Sequence, residues 1–528
     1  MRKMFSKTAL VAAAAILTLA VAGCGGSDKK AAQKSVKDTL TFATTNFCDG
    51  LEPTEAYFSW EVCRYAVGEC LVKFDDKMKP SPWLAESWKL SDDKLSWTFK
   101  VRDCKFSNGN KVTGEAVKNS IERTLKKSAR ARAMFKMASI SANGQEVTIK
   151  TEKPVASLPG MMGDPLFLIV DTTVDGKVNF AKEGPVCTGP YAVKSFTKDK
   201  TVLVQNEHYW GGKAPFKNVN VVNINDPNSR AMALQKGEVD VAVNIAPGDL
   251  QLFKDANKFN TSKISSIRSC MARFNVSKDK PLGDIKVRQA LLRSLNREVY
   301  CKTLLQNTFV PGSPVLPPSV DFGFDEVKKL DKDQYNLESA KQLLAEAGWK
   351  DTNGDGIVDK DGKNLELDFY YYAGRAELPI FAEATQADAK KIGIKINLKQ
   401  VDYNILDSIG KKGAYDLWIT NILTLQAGDP EVYLNMYWKS NKNGSNPTNG
   451  SGYSNPKLDA LSDQLAAEFD PAKRKALVIE MEKLIMADSC GVVFGYPQTN
   501  MISNKTVTGA KMRSCDFYWI TNEMAPAK

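Results

Sequence analysis

Hydrophobic and polar residues alternate along several short stretches of the chain and predict its β-strands. The clearest stretch starts at Leu95, where apolar side chains at every second position are separated by Ser96, Thr98 and Lys100. A period of two is typical of a strand with one face in the core and one in water. The same reasoning predicts further strands at residues 39–43, 219–225, 239–245, 365–372, 394–401 and 415–422.

Apolar residues spaced three or four positions apart predict helices between these strands. One helix is predicted over residues 284–305, and another follows the capping residue Asn336 and ends at Gly348. A last helix begins with Asp470 as its cap and Pro471 at its first position. Further helices are predicted over residues 59–71, 113–127, 229–236, 379–392 and 405–412.

The order of these elements predicts the fold class. Residues 219–245 read as strand, helix and strand, and the same alternation recurs from residue 365 to residue 422. Strands that alternate with helices form parallel sheets, because each helix carries the chain back to the start of the next strand. The sequence therefore predicts an α/β protein.

The N-terminal segment predicts where the rest of the chain folds. Arg2, Lys3 and Lys7 precede an apolar run over residues 9–22, which suits an export signal and is too short to span a bilayer. The small residues 22–23 followed by Cys24 resemble a bacterial lipobox. We predict a lipoprotein signal peptide over residues 1–23, a lipidated Cys24 and a flexible tether over residues 24–37. The protein is then held at the outer face of the cytoplasmic membrane; a secretory peptide cleaved elsewhere is the alternative.

Composition narrows the class of partner. The 528 residues are 43% hydrophobic and 25% charged, as in an ordinary soluble globular protein with room for two or more domains. The formal charge of +11 falls to +8 once the three signal-peptide cations are removed. No run of five like charges and no basic stripe with aromatic residues is present, which argues against nucleic-acid binding.

The cysteines do not form a recognisable framework. Beyond Cys24 nine remain, an odd number, and no two of them form a C-x-x-C pair, so neither a full disulfide framework nor a thiolate zinc site is indicated. Cys63 and Cys70 would be about 10 Å apart on one helix, beyond disulfide reach. We expect mostly buried free thiols, with at most one or two bridges.

Several motifs, spread over nearly the whole chain, carry a family resemblance. They are W-L-A-x-S-W at residues 83–88, a strand and turn at residues 98–102 and 106–109, T-G-P-Y at 188–191, N-x-x-Y-W-G at 206–211, R-x-x-x-L-x-x-G-E-x-D at 230–240 and D-P at 429–430. In this order they resemble the peptide/nickel family of substrate-binding proteins of ABC importers, solute-binding protein family 5. Cys187 stands where the family has a glycine.

This resemblance implies a periplasmic-binding-protein-like fold of two lobes, type II, in the large variant with an extra subdomain. We expect lobe I at residues 38–272 plus 494–528, its extra subdomain at about 75–205, and lobe II at residues 273–493. It further implies a monomeric, non-catalytic receptor that delivers a solute to a permease powered by a separate ATPase. An oligopeptide or dipeptide is the leading solute, with nickel or a metal chelate as the alternative.

Candidate ligand contacts follow from strand ends and from the family. Arg375 and Asp429 each follow a predicted strand, so they could pair with the carboxylate and ammonium ends of a peptide. Loop anchoring is the competing role for both. The family's dipeptide binders carry an aspartate where Gln426 stands here. Arg130, followed by Arg132, lies where the family places contacts to anionic groups, unless the two form a solvated basic face. Two aromatic residues, Tyr57 and Trp60, could line the cleft or belong to the core.

Metal and catalytic alternatives have weaker support in the sequence. Asp351, Asn353, Asp355 and Asp359 imitate the start of a calcium loop, but its twelfth position is Gly362, so a turn built from Asx hydrogen bonds competes with a structural calcium ion. His208 is the single histidine, which argues against a His-ligated metal. No G-x-S-x-G, H-E-x-x-H or Walker A motif is present. A carboxylate-dependent extracellular hydrolase is the alternative of a different class.

Overall fold

A mixed β-sheet runs through the computed structural model, which describes residues 37–527 with the side chain of residue 404 excepted. In one half of this sheet, Thr39–Thr44 lies between two parallel neighbours, Asn218–Asn223 and Val241–Val243. The predicted strand-helix-strand unit is therefore present, with the first strand of the described residues, Thr39–Thr44, inserted between its two strands. The order from the edge inwards is Tyr191–Phe196, Lys200–Gln205, Asn218–Asn223, Thr39–Thr44, Val241–Val243 and Gly491–Asn504.

The other half of the sheet contains the alternation predicted after residue 365. Glu366–Tyr371 pairs in parallel with Lys395–Gln400 on one side and with Leu417–Leu423 on the other. Helices Glu377–Lys390 and Tyr403–Lys412 connect these strands. Arg268–Phe274 joins them antiparallel, and every residue of Arg268–Phe274 and Leu417–Leu423 is buried.

One long strand, Gly491–Asn504, belongs to both halves. Its residues 491–497 pair with Arg268–Phe274 and Phe309–Pro311, whereas residues 498–504 pair with Phe259–Ser265. Where the partners change, the amide of Ser266 donates to the carbonyl of residue 497 at 3.0 Å. The chain therefore crosses between the halves twice, side by side. We call the half that contains Thr39–Thr44 the first lobe and the half that contains Leu417–Leu423 the second lobe.

The described chain contains fifteen α-helices. They are Phe58–Arg64, Gly114–Lys127, Ala129–Met134, Leu158–Met161, Phe180–Glu183, Pro227–Gln235, Ile285–Ser294, Arg297–Val299, Phe324–Lys328, Leu337–Glu346, Glu377–Lys390, Tyr403–Lys412, Glu431–Trp438, Pro456–Ala467 and Pro471–Ala487. Within residues 37–527, none has the length and apolar character needed to cross a bilayer. The predicted signal peptide, Cys24 and almost all of the tether lie outside the described residues.

Side-chain caps explain where several helices begin. The Asn336 side chain accepts from the amide of Ser339 at 2.9 Å, and that of Asp470 accepts from Lys473 at 2.9 Å, as predicted. The helix predicted over residues 284–305 is interrupted, because it ends at Ser294 and Asn296 caps a new turn. The periodic apolar residues continue through the break, which hides it from the sequence pattern.

The helix predicted over residues 59–71 is also shorter than expected. It ends at Arg64, and Ala66 then takes the left-handed conformation at φ 57°, which turns the chain away from the helix axis. The helical spacing between Cys63 and Cys70 therefore does not apply. All nine described cysteines are buried free thiols.

A smaller four-stranded sheet with its own core extends the first lobe. Its strands are antiparallel, and the Thr113 side chain caps the helix Gly114–Lys127 that packs on them. The buried face includes Phe99, Val117 and Val147. Helix Ala129–Met134, which carries Arg130, follows Gly114–Lys127 and contacts it. The strand order is Ala85–Leu90, Ser96–Val101, Glu146–Thr151 and Met137–Asn143.

Candidate functional site

A cavity lies between the two lobes at the carboxyl ends of Glu366–Tyr371 and Leu417–Leu423. Ligands of open α/β sheets bind outside such strand ends. The empty space at this site is about 590 Å³, a volume that includes the mouth open to solvent. Its aromatic side chains are Phe47, Tyr57, Trp60, Tyr372, Tyr403 and Tyr437. Its main polar side chains are Glu61, Arg64, Arg268, Arg375, Asn421 and Gln426.

Four charged groups at one side of the cavity form a buried network. Nη1 of Arg64 lies 2.6 Å from a carboxylate oxygen of Glu61. Asp516 Oδ2 lies 3.0 Å from Nη2 of Arg64 and 2.6 Å from Nη2 of Arg268. Burial alone would raise the pKa of Asp516, but the neighbouring guanidiniums outweigh it and lower this pKa to about 2. Asp516 is therefore neutralised by its two arginines, whereas at Glu61 burial outweighs the effect of Arg64 and raises the pKa of the carboxyl.

Arg375 carries the surplus positive charge at this site. No carboxylate of the described residues lies within ion-pair distance of its guanidinium, which is 5.6 Å from the ring centroid of Phe47. Burial lowers the pKa of Arg375, but Tyr372 and Glu377 outweigh burial and raise it. Arg375 thus stays charged while no protein carboxylate neutralises it directly.

The aromatic residues form a continuous wall across the gap between the lobes. The ring of Tyr57 lies 5.4 Å from that of Trp60 and 6.5 Å from that of Tyr403, which in turn lies 5.2 Å from Tyr372. These edge-to-face contacts join first-lobe and second-lobe side chains. The structure thus places Tyr57 and Trp60 in the cavity lining, and the indole nitrogen of Trp60 is buried without a described partner.

Arg130 has a buried guanidinium whose three nitrogens find no hydrogen-bond partner among the described residues. The group lies 4.3 Å from the ring centroid of Tyr57, so it approaches the cavity from behind the aromatic wall. The nearby Asp164 is buried, which raises the pKa of its carboxyl group, and the charge of Arg130 offsets part of this effect. A solvated basic face therefore does not describe Arg130. It does describe Arg132, which is exposed and donates to the carbonyl of Leu125 at 2.7 Å.

Asp429 and Gln426 occupy different environments. Asp429 does not line the cavity; its carboxylate is held by Arg474 at 2.9 and 3.0 Å and accepts from the amide of Glu431. The structure therefore does not place Arg375 and Asp429 as two opposite poles of one site, because Asp429 already has a cation. Gln426 lines the cavity, is 3% exposed, and its Oε1 has no described partner.

The calcium-like loop already uses many of its oxygens. Asp351 accepts from the amides of Gly354 and Gly356, at 2.7 and 3.0 Å. Asp359 accepts from the amide and hydroxyl of Thr352, and Asp355 accepts from Asn353. No group of three His, Cys, Asp or Glu side chains suited to a metal ion occurs in residues 37–527. A structural calcium ion at this loop stays a prediction.

Sequence reasoning missed the arginine network and most of the aromatic wall. Arg64 and Asp516 meet although 452 positions separate them, and no local pattern encodes such a pair. One signal was available: Arg268 opens a stretch that reads as a buried strand, where a charge needs a partner. His208 packs beside Gly109 and does not line the cavity.

A two-lobe α/β fold with a charged cavity between its lobes is the architecture of a solute-binding protein. Residues 79–445 match the family model described as bacterial extracellular solute-binding proteins, family 5 middle. The chain therefore belongs to the family 5 bacterial extracellular solute-binding proteins, as the motifs predicted.

Relatives and solved structures agree with this assignment. The nickel-binding protein NikA of Staphylococcus aureus is 27% identical over 87% of this chain and 88% of its own length. The probable D,D-dipeptide-binding periplasmic protein DdpA of Escherichia coli is 30% identical over 81% of both chains. The crystal structure of Staphylococcus aureus NikA in complex with Ni(L-His)2 is 26% identical, with a TM-score of 0.81 over 93% of this chain and all of that one.

Proposed function

We propose that this protein is a lipid-anchored receptor of an ABC importer that captures a small carboxylate-bearing solute between its lobes. Cys24 would carry the lipid at the outer face of the cytoplasmic membrane, and a permease with its ATPase would receive the solute. We propose lobe I at residues 38–272 plus 494–528 and lobe II at residues 273–493 as an approximate division, since strand pairing places residues 268–272 and 494–497 with the second half of the sheet. The receptor acts as a monomer and without catalysis.

One observation carries the solute class: the cationic groups at this cavity are incompletely neutralised. Arg375 has no carboxylate in ion-pair range among the described residues, and the three nitrogens of Arg130 have no described hydrogen-bond partner. A buried guanidinium without a partner is costly, and a carboxylate that binds it in two places removes that cost. Arg375 lines the cavity and Arg130 lies behind its aromatic wall, so a carboxylate at Arg375 is favoured first, and a second carboxylate would have to reach Arg130 past Tyr57.

A compact metal chelate is the first candidate solute. The cavity is small, because its 590 Å³ already includes the mouth open to solvent, and a compact solute therefore suits it better than a long peptide. No histidine lines the cavity, so an organic chelator would have to supply the metal ligands, and its carboxylates would face the arginines. The nickel-binding relative and the complex with nickel and histidine described above support this choice.

A short peptide is the second candidate, and buried acceptors at the same cavity favour it. Oε1 of Gln426 and Oδ1 of Asn421 have no described partner, so both could accept from the N–H groups of a peptide. The D,D-dipeptide-binding relative supports this class. In either case the solute would contact both lobes and so favour the closed state by its higher affinity for that state.

Calorimetry on Arg375→Gln and Arg130→Gln tests this function. Nickel with L-histidine and the dipeptide dialanine are the two probes, and Arg132→Gln is the matched control because its side chain faces solvent. Each cavity variant should weaken the binding of the accepted probe by the value of a charged hydrogen bond, about 10-fold to 150-fold.

The control should bind like the unmodified protein. Unchanged affinity in both cavity variants would remove the arginines from the site. The proposed solute class is overturned if the unmodified protein binds neither probe and native mass spectrometry finds no carboxylate bound to it.

A further inference from the structure

A second cavity lies between the lobes, next to the first. Its empty space is about 520 Å³, with the part open to solvent included, and it shares two lining residues, Arg375 and Asn421, with the main cavity. Residues 244–247 and 497–500 line it from the first lobe, and Thr308 and Glu377 line it from the second lobe. A solute held at Arg375 in the main cavity would therefore lie beside the opening of the second one.

Two acceptor atoms of this second cavity are unused. Asn421 donates its Nδ2 hydrogen to Oε1 of Glu377 at 2.7 Å, which fixes the orientation of the amide. Its Oδ1 is then left without a partner among the described residues, although Asn421 is only 5% exposed. Glu377 forms no ion pair within the described chain, so its second oxygen is also open to a donor.

The other charged group of this cavity is already satisfied. Arg230 lines it, but its guanidinium donates to the main-chain carbonyls of Ile224, Val243 and Asn244 at 2.6 to 3.0 Å. Arg230 therefore contributes positive charge without an orphaned donor. A carboxylate of the solute would neutralise Arg375, and Glu377 is then the one acidic side chain lining this cavity that has no ion pair within the described chain.

We propose that the second cavity holds an amino group of the same solute whose carboxylate lies at Arg375, with Glu377 and Asn421 as its acceptors. This inference rests on the function proposed above and narrows it to solutes with both an amine and a carboxylate. It also supplies the acidic pole that Asp429 cannot provide, because Arg474 holds that carboxylate.

A simpler role for Glu377 has to be separated from this one. It stands in the first turn of helix Glu377–Lys390, where any carboxylate interacts favourably with the helix dipole. That role does not account for the unpartnered Oδ1 of Asn421. Glu338 provides a matched control, since it lies in the first turn of helix Leu337–Glu346, is exposed, and lines neither cavity.

The test compares solutes with and without an amine. Binding to the full chain is measured by calorimetry for dialanine and N-acetyl-dialanine, and for L-histidine and imidazolepropionate, each with and without nickel. The unmodified protein should prefer the amine-bearing member of a pair by about 10-fold or more, as expected for a charged hydrogen bond. Glu377→Gln should abolish this preference, and Glu338→Gln should retain it.

Each other outcome is decisive. A preference that survives in Glu377→Gln assigns the carboxylate to the helix terminus and overturns the inference. The inference is also overturned if only the amine-free acids bind and their binding is lost in Arg375→Gln but not in Glu377→Gln. In that case the proposed function, a receptor for carboxylates, is still supported. Binding of none of the amine-bearing probes contradicts the inference as well, and binding of no carboxylate at all contradicts the proposed function itself.

Discussion

Glu482 is a buried acid whose removal should change how stability depends on pH. It lies in helix Pro471–Ala487 at 0% exposure, and its one described hydrogen bond comes from the amide of Leu316 at 2.9 Å. Burial raises the pKa of this carboxyl from its usual 4.5 to about 8. The folded protein therefore holds a proton that the unfolded chain releases above pH 4.5.

The sign and size of the effect follow from this difference. Because the folded pKa is the higher one, the proton's contribution to stability is complete below pH 4.5 and is lost as pH rises through 8. Between pH 5 and pH 8 the loss is on the order of 3 kcal/mol, since each unit of difference is worth about 1.4 kcal/mol. Glu482→Gln has no such proton to lose.

Urea unfolding at several pH values measures this directly. The free energy of unfolding of the unmodified protein should fall more steeply from pH 5 to pH 8 than that of Glu482→Gln. Glu480→Gln is the control, because Glu480 is an exposed residue of the same helix that pairs with Lys483 at 2.7 Å. Equal slopes for the unmodified protein and Glu482→Gln would refute the reasoning.

Two further substitutions probe the network and the contact between the lobes. Asp516→Asn should lower the free energy of unfolding at pH 7 by about 3–5 kcal/mol in urea titrations, because two buried guanidiniums lose their shared carboxylate; an unchanged midpoint would contradict this. Gly160→Ala should hinder closure, because a Cβ there would lie 1.9 Å from the carbonyl oxygen of Ala427. We expect weaker solute binding and, by X-ray scattering, a more open average shape; a closed variant that binds normally would contradict the assignment of this contact.

The sequence motifs predicted the family and the fold because they are framework residues. Thr188 and Trp210, from two of those motifs, both donate to the buried Oε2 of Glu69 at 2.8 Å. Arg102, from a third, donates to the carbonyl of Trp83 at 2.7 Å. These contacts hold the first lobe together away from the cavity. The motifs therefore predict the architecture but do not indicate which solute binds.

The candidate site was less accessible to sequence reasoning. Arg375 could be placed because it follows a strand that the sequence pattern had marked, and Gln426 because the family resemblance puts a ligand contact at its position. The groups that surround the site could not be predicted from the sequence. Arg474, which neutralises Asp429, lies 45 positions away from it, and Asp516 lies 452 positions away from Arg64. The order of charged residues along the chain does not show which of them form ion pairs with one another in the folded protein.

The shared strand has a consequence for how the molecule is made. Residues 491–504 complete the sheets of both lobes, yet they are synthesised after some 490 other residues. Neither lobe can finish its sheet while the chain is still emerging from the ribosome, and pairings of such long range form slowly. An incompletely folded chain of this length remains a substrate for chaperones until its last strand arrives, and truncation before residue 491 would leave two unfinished edges prone to aggregation.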